Sequence, residues 1–159
     1  MSSIMRKTGD TVNHSSGPDE DVLELVHGVM HEYRTLQYRS LRDGPHDITH
    51  MEGKVLGFFG HHPGATQSDL AQHSGRDKAQ LARLIKGLRE RGLLDAEVDE
   101  NDRRNVRLSL SAEGQALQRG LRQQAKRLAT RALGGLDAAE REQLLSLLHR
   151  LRANLQSRD

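Results

Sequence analysis

The apolar positions of the chain change period along its length, and the changes divide it. From Asp19 to about Leu41, the residues Leu23, Val26, Met30, Tyr33 and Leu41 recur at mostly helical spacing, with acids in the first turn where the helix dipole favours them. The pattern predicts a long amphipathic helix broken by "DGPH" at 43–46. A second helix is predicted to open at "ITHME", where Thr49 and Glu52 stand as a capping box, and to run through "GKVLGFFG" to "HHPG". Thr66 and Asp69 repeat that signature ahead of the short helix "QSDLAQHS". A further helix is predicted from about Asp77 to Arg91, with Leu81, Leu84, Ile85 and Leu88 on one face and Gly92 as its stop.

The period then becomes two. "LLDAEV" and "VRLSLS" alternate on either side of the turn-rich "DENDRRN", which signals a hairpin. Ser111 is placed to cap the next helix, which runs to about Leu133. Asp137 with Glu140 opens the last one, whose Leu144, Leu148, Leu151 and Leu155 keep a helical seam. Gly53 and Gly57 share a face of the second helix. Each costs about 1 kcal/mol relative to alanine, so close approach of another backbone is expected there.

Helix, tight turn, helix and hairpin in that order make a winged helix. The predicted fold is mainly α: a winged helix-turn-helix over about 47–110, with a recognition helix at about 77–91 and a short β-hairpin wing at about 93–110. Residues 1–18 are polar, with no apolar stretch of a secretory signal, and are expected to form a disordered arm. The segments 19–46 and 111–157 are expected to be dimerisation helices, because 35% apolar residues is lean for a chain that must bury its own core.

Composition narrows the function classes. The absence of cysteine excludes disulfides and thiolate chemistry. No apolar run approaches the roughly 18 residues of a membrane span, so a cytoplasmic protein without a membrane partner is expected. No Ser, His and acid arrangement has a supporting motif, and the paired carboxylates fall at helix starts where capping explains them, so no enzyme and no cofactor are expected. Net charge is only +2, but residues 76–91 hold six basic residues against two acids.

That basic helix suggests DNA. A recognition helix enters the major groove with its N-terminal residues facing base edges. Lys78 and Gln80 lie near its start, and Arg83 and Lys86 follow opposite the leucine stripe. Glutamine reads adenine, and arginine or lysine reads guanine. Ser68 on the preceding helix and Arg76 in the turn complete the expected surface. At the hairpin tip, Arg103 and Arg104 are placed to reach the adjacent minor groove, with Asp102 to hold one guanidinium extended. A second basic run, Arg119, Arg122, Lys126, Arg127 and Arg131, is read as a solvated helix face.

"DENDRRNVRLSLSAEG" closely resembles the wing signature of the MarR family of bacterial transcription regulators, an Asp-x-Arg pair followed by alternating residues, Leu-Thr and a Gly. Asp102 and Arg104 match the pair, Leu110-Ser111 replaces Leu-Thr, and Gly114 matches the glycine. "ITHMEGKVL", "TQSDLAQ" and "LIKGLRERGLL" look like the family's second helix, third helix and recognition helix, and the likeness spans roughly Asp19 to Leu155. The resemblance implies a homodimer that places a winged helix on each half of a palindromic operator, with Leu23, Val26, Leu144, Leu148, Leu151 and Leu155 at the dimer interface. It implies a repressor, with Arg104 inserted in the minor groove and Arg103 on phosphate.

The resemblance further implies a small aromatic acid effector, phenolic or N-heteroaromatic, in a cleft between the dimer helices and the winged helix. Tyr33, Tyr38, Arg42, His46 and His50 are the expected lining. The alternative is a zinc-responsive regulator of the same fold. The chain holds nine histidines, and His27 with His31 and His46 with His50 stand four apart, with His61-His62 as loop candidates.

Overall fold

A computed structural model of the chain describes residues 17–42 and 44–158. The elements run α1 (Pro18–Arg39), α2 (His50–His61), α3 (Gln67–Ser74), α4 (Lys78–Glu90), β1 (Leu94–Val98), β2 (Val106–Leu110), α5 (Ala112–Ala132) and α6 (Ala138–Gln156). The expected N-terminal arm lies outside the described residues except for Gly17 and Pro18, and Pro18 already opens α1. Proline suits that first helical position, where its missing N–H has no partner to lose.

The chain divides after Tyr33 into two compact units. The first contains the N-terminal part of α1, whose Leu23 and Val26 are exposed. The second holds everything that follows.

In the second unit α2, α3, α5 and α6 start on the predicted caps Thr49, Thr66, Ser111 and Asp137. Thr49 accepts the Glu52 N–H at 3.2 Å while its own N–H donates to Glu52 Oε1 at 2.9 Å, and Thr66 with Asp69 repeats the exchange. Asp77 accepts the Ala79 N–H at the head of α4. Gly92 leaves the helix at φ +71°, a conformation that L side chains rarely adopt, so the chain turns there directly into β1.

The core lies between α2, α4 and the hairpin. Val55, Leu56 and Phe59 of α2 meet Leu81, Ile85 and Leu88 of α4 and Leu93, Leu94 and Leu108 of the wing base, closed by Leu70 and Leu121. β1 and β2 pair antiparallel from Leu94 opposite Leu110 to Val98 opposite Val106. A further bridge, Ala65 to Leu108, fastens the loop before α3 to the side of β2 away from β1. Alternation alone did not disclose that bridge, since Ala65 sits in a turn.

The glycine expectation is corrected. A Cβ at Gly53 would collide with the Tyr38 ring and hydroxyl, and one at Gly57 would meet only the Gln118 side chain, so neither glycine admits a backbone. The close backbone approach is at Gly114, where a Cβ would run into the Leu93 carbonyl oxygen. Ser111 locks the same place: its hydroxyl donates to the Gly92 carbonyl at 2.6 Å and accepts the Gly114 N–H at 3.0 Å. The Ser and Gly of the wing signature thus bind the start of α5 to the root of the wing.

Candidate nucleic-acid interface

Helix α4 is divided lengthwise. Leu81, Ile85 and Leu88 are buried, while Lys78 and Gln80 near the helix start and Arg83 and Lys86 opposite the apolar stripe are exposed. Lys86 has an acid one turn on, Glu90 at 4.0 Å, and both ends of that pair are well exposed, so it holds Lys86 weakly. Ser68 and Arg76 are exposed as well.

The far end of α4 is held by a contact that sequence reasoning missed. Arg91, the residue after the helix, donates to Glu52 Oε2 at 2.9 Å and to the Asp47 carbonyl at 2.6 Å. Glu52 already caps Thr49 through its other oxygen, so one carboxylate ties the start of α2 to the end of α4. Both partners are largely shielded from solvent, which makes this pair worth more than a surface one. The sequence signal was available in the capping glutamate, but its second partner stands 39 residues away.

At the wing tip, Asp102 accepts the Arg104 backbone N–H at 3.1 Å, and the Asn105 N–H donates to the Asp102 carbonyl at 2.9 Å. Asp102 therefore shapes the turn. Its carboxylate is 3.8 Å from Arg104 Nε, too far for a hydrogen bond, and the Arg104 side chain is 97% exposed. The carboxylate thus fixes the backbone beneath the arginine and leaves the guanidinium projecting into solvent. Arg103 beside it is exposed too.

The residues expected to line an effector cleft are divided between the two units. Tyr33 belongs to the first unit, and Tyr38, Arg42, His46 and His50 to the second. Tyr38 meets His50 edge to face at 5.8 Å. His46 Nε2 instead faces Glu113 at 3.4 Å, and Arg42 is exposed. Burial, followed by the charges of Arg34, Lys54 and Arg76, pushes the His50 pKa below its usual 6.5. Its Nδ1 is buried with no hydrogen-bond partner among the described residues. Among the described residues no three His, Asp or Glu side chains stand close enough to hold a metal ion.

On α6 the expected interface residues Leu144, Leu148 and Leu155 are exposed and Leu151 is partly covered. Among the described residues no helix is long and apolar enough to cross a membrane.

Residues 46–105, from the loop before α2 to the end of the wing turn, match the model of the MarR family. A putative transcriptional regulatory protein for the hcr operon of Thauera aromatica is 32% identical over 145 residues, covering 84% of this chain and 87% of that one. The chain belongs to the MarR family. It is a transcriptional regulator with the family's DNA-binding fold, mainly helical with a two-stranded antiparallel wing. A second relative, the HTH-type transcriptional repressor NicR of Pseudomonas putida, is 29% identical over 104 residues, covering 65% of this chain and 66% of that one. Among solved structures, Streptococcus pneumoniae FabT in complex with DNA aligns at a TM-score of 0.77 and 19% identity, covering 87% of this chain and 97% of that one, and so shares the fold.

Proposed function

We propose that this MarR-family chain is a repressor that binds a palindromic operator as a homodimer and leaves it when a small aromatic acid binds. The observation that carries the DNA part is the divided α4, which exposes Lys78, Gln80, Arg83 and Lys86 and leads into an arginine-tipped wing. In this reading α4 lies in the major groove, with Gln80 and Arg83 at base edges and Lys78 and Lys86 toward the flanking phosphates. Arg104 enters the minor groove next to it, and Arg103, Ser68 and Arg76 contact the backbone.

Homodimerisation is supported by the apolar faces left open on α1 and α6, among them Leu23, Val26, Leu144, Leu148 and Leu155. A two-fold axis then sets the two recognition helices on successive major grooves and makes the operator palindromic. Repression is the activity in the name of the Pseudomonas relative, and occlusion of a promoter by such a dimer needs no further partner.

The test is fluorescence anisotropy with DNA from the gene's own upstream region, across a salt series, with unrelated DNA as competitor. Binding that resists the competitor and weakens steeply with salt is expected. Equal, weak binding to both DNAs would sink the reading.

A further inference from the structure

Helix α4 is anchored to its unit in two ways. Leu81, Ile85 and Leu88 bury an apolar stripe against α2 and the wing root. Apolar burial is non-directional, so it resists separation of the helices more than a small change in their angle. The second anchor is directional. Arg91, the C-cap of α4, spreads its two terminal nitrogens over two acceptors, Glu52 Oε2 at 2.9 Å and the Asp47 carbonyl at 2.6 Å. Both acceptors are themselves held. Glu52 Oε1 accepts the Thr49 N–H, and Ile48, next to Asp47, is 3% exposed in the core. Asp77 and Lys86 make their contacts within α4 and its cap, so those contacts leave the angle of the helix free.

A guanidinium closed on two acceptors fixes direction as well as distance. We propose that Arg91 is a positioning residue for DNA reading: through Glu52 and Asp47 it sets the angle at which α4 enters the major groove, without itself touching DNA. The inference rests on α4 as the base-reading helix of the function proposed above. The lever is long. Gln80 stands eleven residues before Arg91, which is about 17 Å along the helix at roughly 1.5 Å per residue. A swing of about 5° around the Arg91 end moves Gln80 by about 1.5 Å, beyond the roughly 0.5 Å latitude of a hydrogen-bond length. Attraction to phosphate extends over a Debye length of about 8 Å and tolerates the same shift. Loosening the fork therefore costs sequence selection and spares general affinity for DNA.

Glu52→Gln is the sharpest variant, because glutamine keeps the capping box with Thr49 while removing the charge that Arg91 engages. Arg91→Lys is its counterpart: lysine keeps the charge and loses the fork. Fluorescence anisotropy of the full chain on the gene's own upstream DNA and on unrelated DNA, across a salt series, gives a selection ratio and a salt slope for each. Both variants should lower the ratio roughly ten-fold, the worth of about one base contact, and the double variant should lower it no further. Affinity for unrelated DNA and the salt slope should stay as in the wild type. Leu121→Ala, a core truncation on α5, should lower stability and leave the ratio alone. A ratio that survives Glu52→Gln or Arg91→Lys, or that falls equally in Leu121→Ala, would overturn the proposal. So would a salt slope lowered by about one in Arg91→Gln, which would make Arg91 a phosphate contact. Residual dipolar couplings of the α2 and α4 amides in DNA-free protein read the angle directly. In Glu52→Gln they should report a shifted or broadened angle, and unchanged couplings would overturn the clamp. A wild type that does not select its upstream DNA refutes the base-reading function, while the couplings still decide whether Arg91 fixes α4.

Discussion

Helices α4 and α6 are written alike and end differently. Both carry leucines at helical spacing, yet Leu81 and Leu88 of α4 are sealed in the core while Leu148 of α6 is 39% exposed and Leu155 is 78% exposed. Periodicity states that a helix has an apolar face. It does not say whose surface will cover that face. For α4 the cover comes from α2 and the wing root of the same chain, which leaves its polar side free for another molecule. For α6 the described residues supply no such cover, and in the proposed homodimer a second copy of the chain would provide it.

The largest effect expected follows from that contrast. Leu148→Asp should raise the dimer dissociation constant by two orders of magnitude or more, since an uncompensated buried carboxylate costs about 3–5 kcal/mol. Analytical ultracentrifugation would show it, with the far-ultraviolet circular dichroism of each subunit retained. An unchanged mass would mean that α6 is not at the interface.

Leu88→Ala probes the other helix. It should lower unfolding free energy by about 2–5 kcal/mol through a cavity in the core. Urea denaturation over a range of protein concentrations distinguishes the two changes, because only Leu148→Asp should alter the concentration dependence.

A smaller effect separates the two arginine-bearing surfaces. Arg104→Ala should cost about 1–3 kcal/mol of operator binding and lower the salt slope by about one. Arg127→Ala, on the exposed face of α5, should change affinity less than about two-fold. Equal losses in the two variants would remove the wing tip from the interface. Gln80→Ala should relax preference at one base position in a binding-site selection and leave the salt slope alone.

The smallest is a pH effect. Because the folded chain holds the His50 pKa below 6.5, folded His50 resists a proton that the unfolded chain accepts. Its contribution is complete above about pH 6.5 and is lost as pH falls from there through the lower folded value. His50→Gln should flatten the stability profile in that window, measured by urea titration at successive pH values. A profile as steep as the wild type's would assign the dependence to another group.

Much of the interface was legible in one dimension because its signals are local. A capping box spans four residues, a hairpin turn seven, and the charge on α4 lies within one helix, so Thr49, Thr66, Ser111 and the arginine doublet declare themselves. Gly114 was legible as a matched position, whereas its physical role was not: the glycine is required by the Leu93 carbonyl, 21 residues earlier in the chain. Asp102 keeps Arg104 Nε within ion-pair range at 3.8 Å and also caps the arginine's backbone N–H, a second role that the sequence did not show.

The sequence by itself determined the order of elements, their caps, the charged face of α4 and the family, since each depends on neighbours a few residues apart or on a contiguous motif. Only the tertiary structure decided which leucines are covered, that Glu52 joins α2 to Arg91, and that His46 faces Glu113 rather than His50. Those contacts join residues distant along the chain. Their geometry depends on how helices pack around a common core, and a one-dimensional period carries no record of that packing.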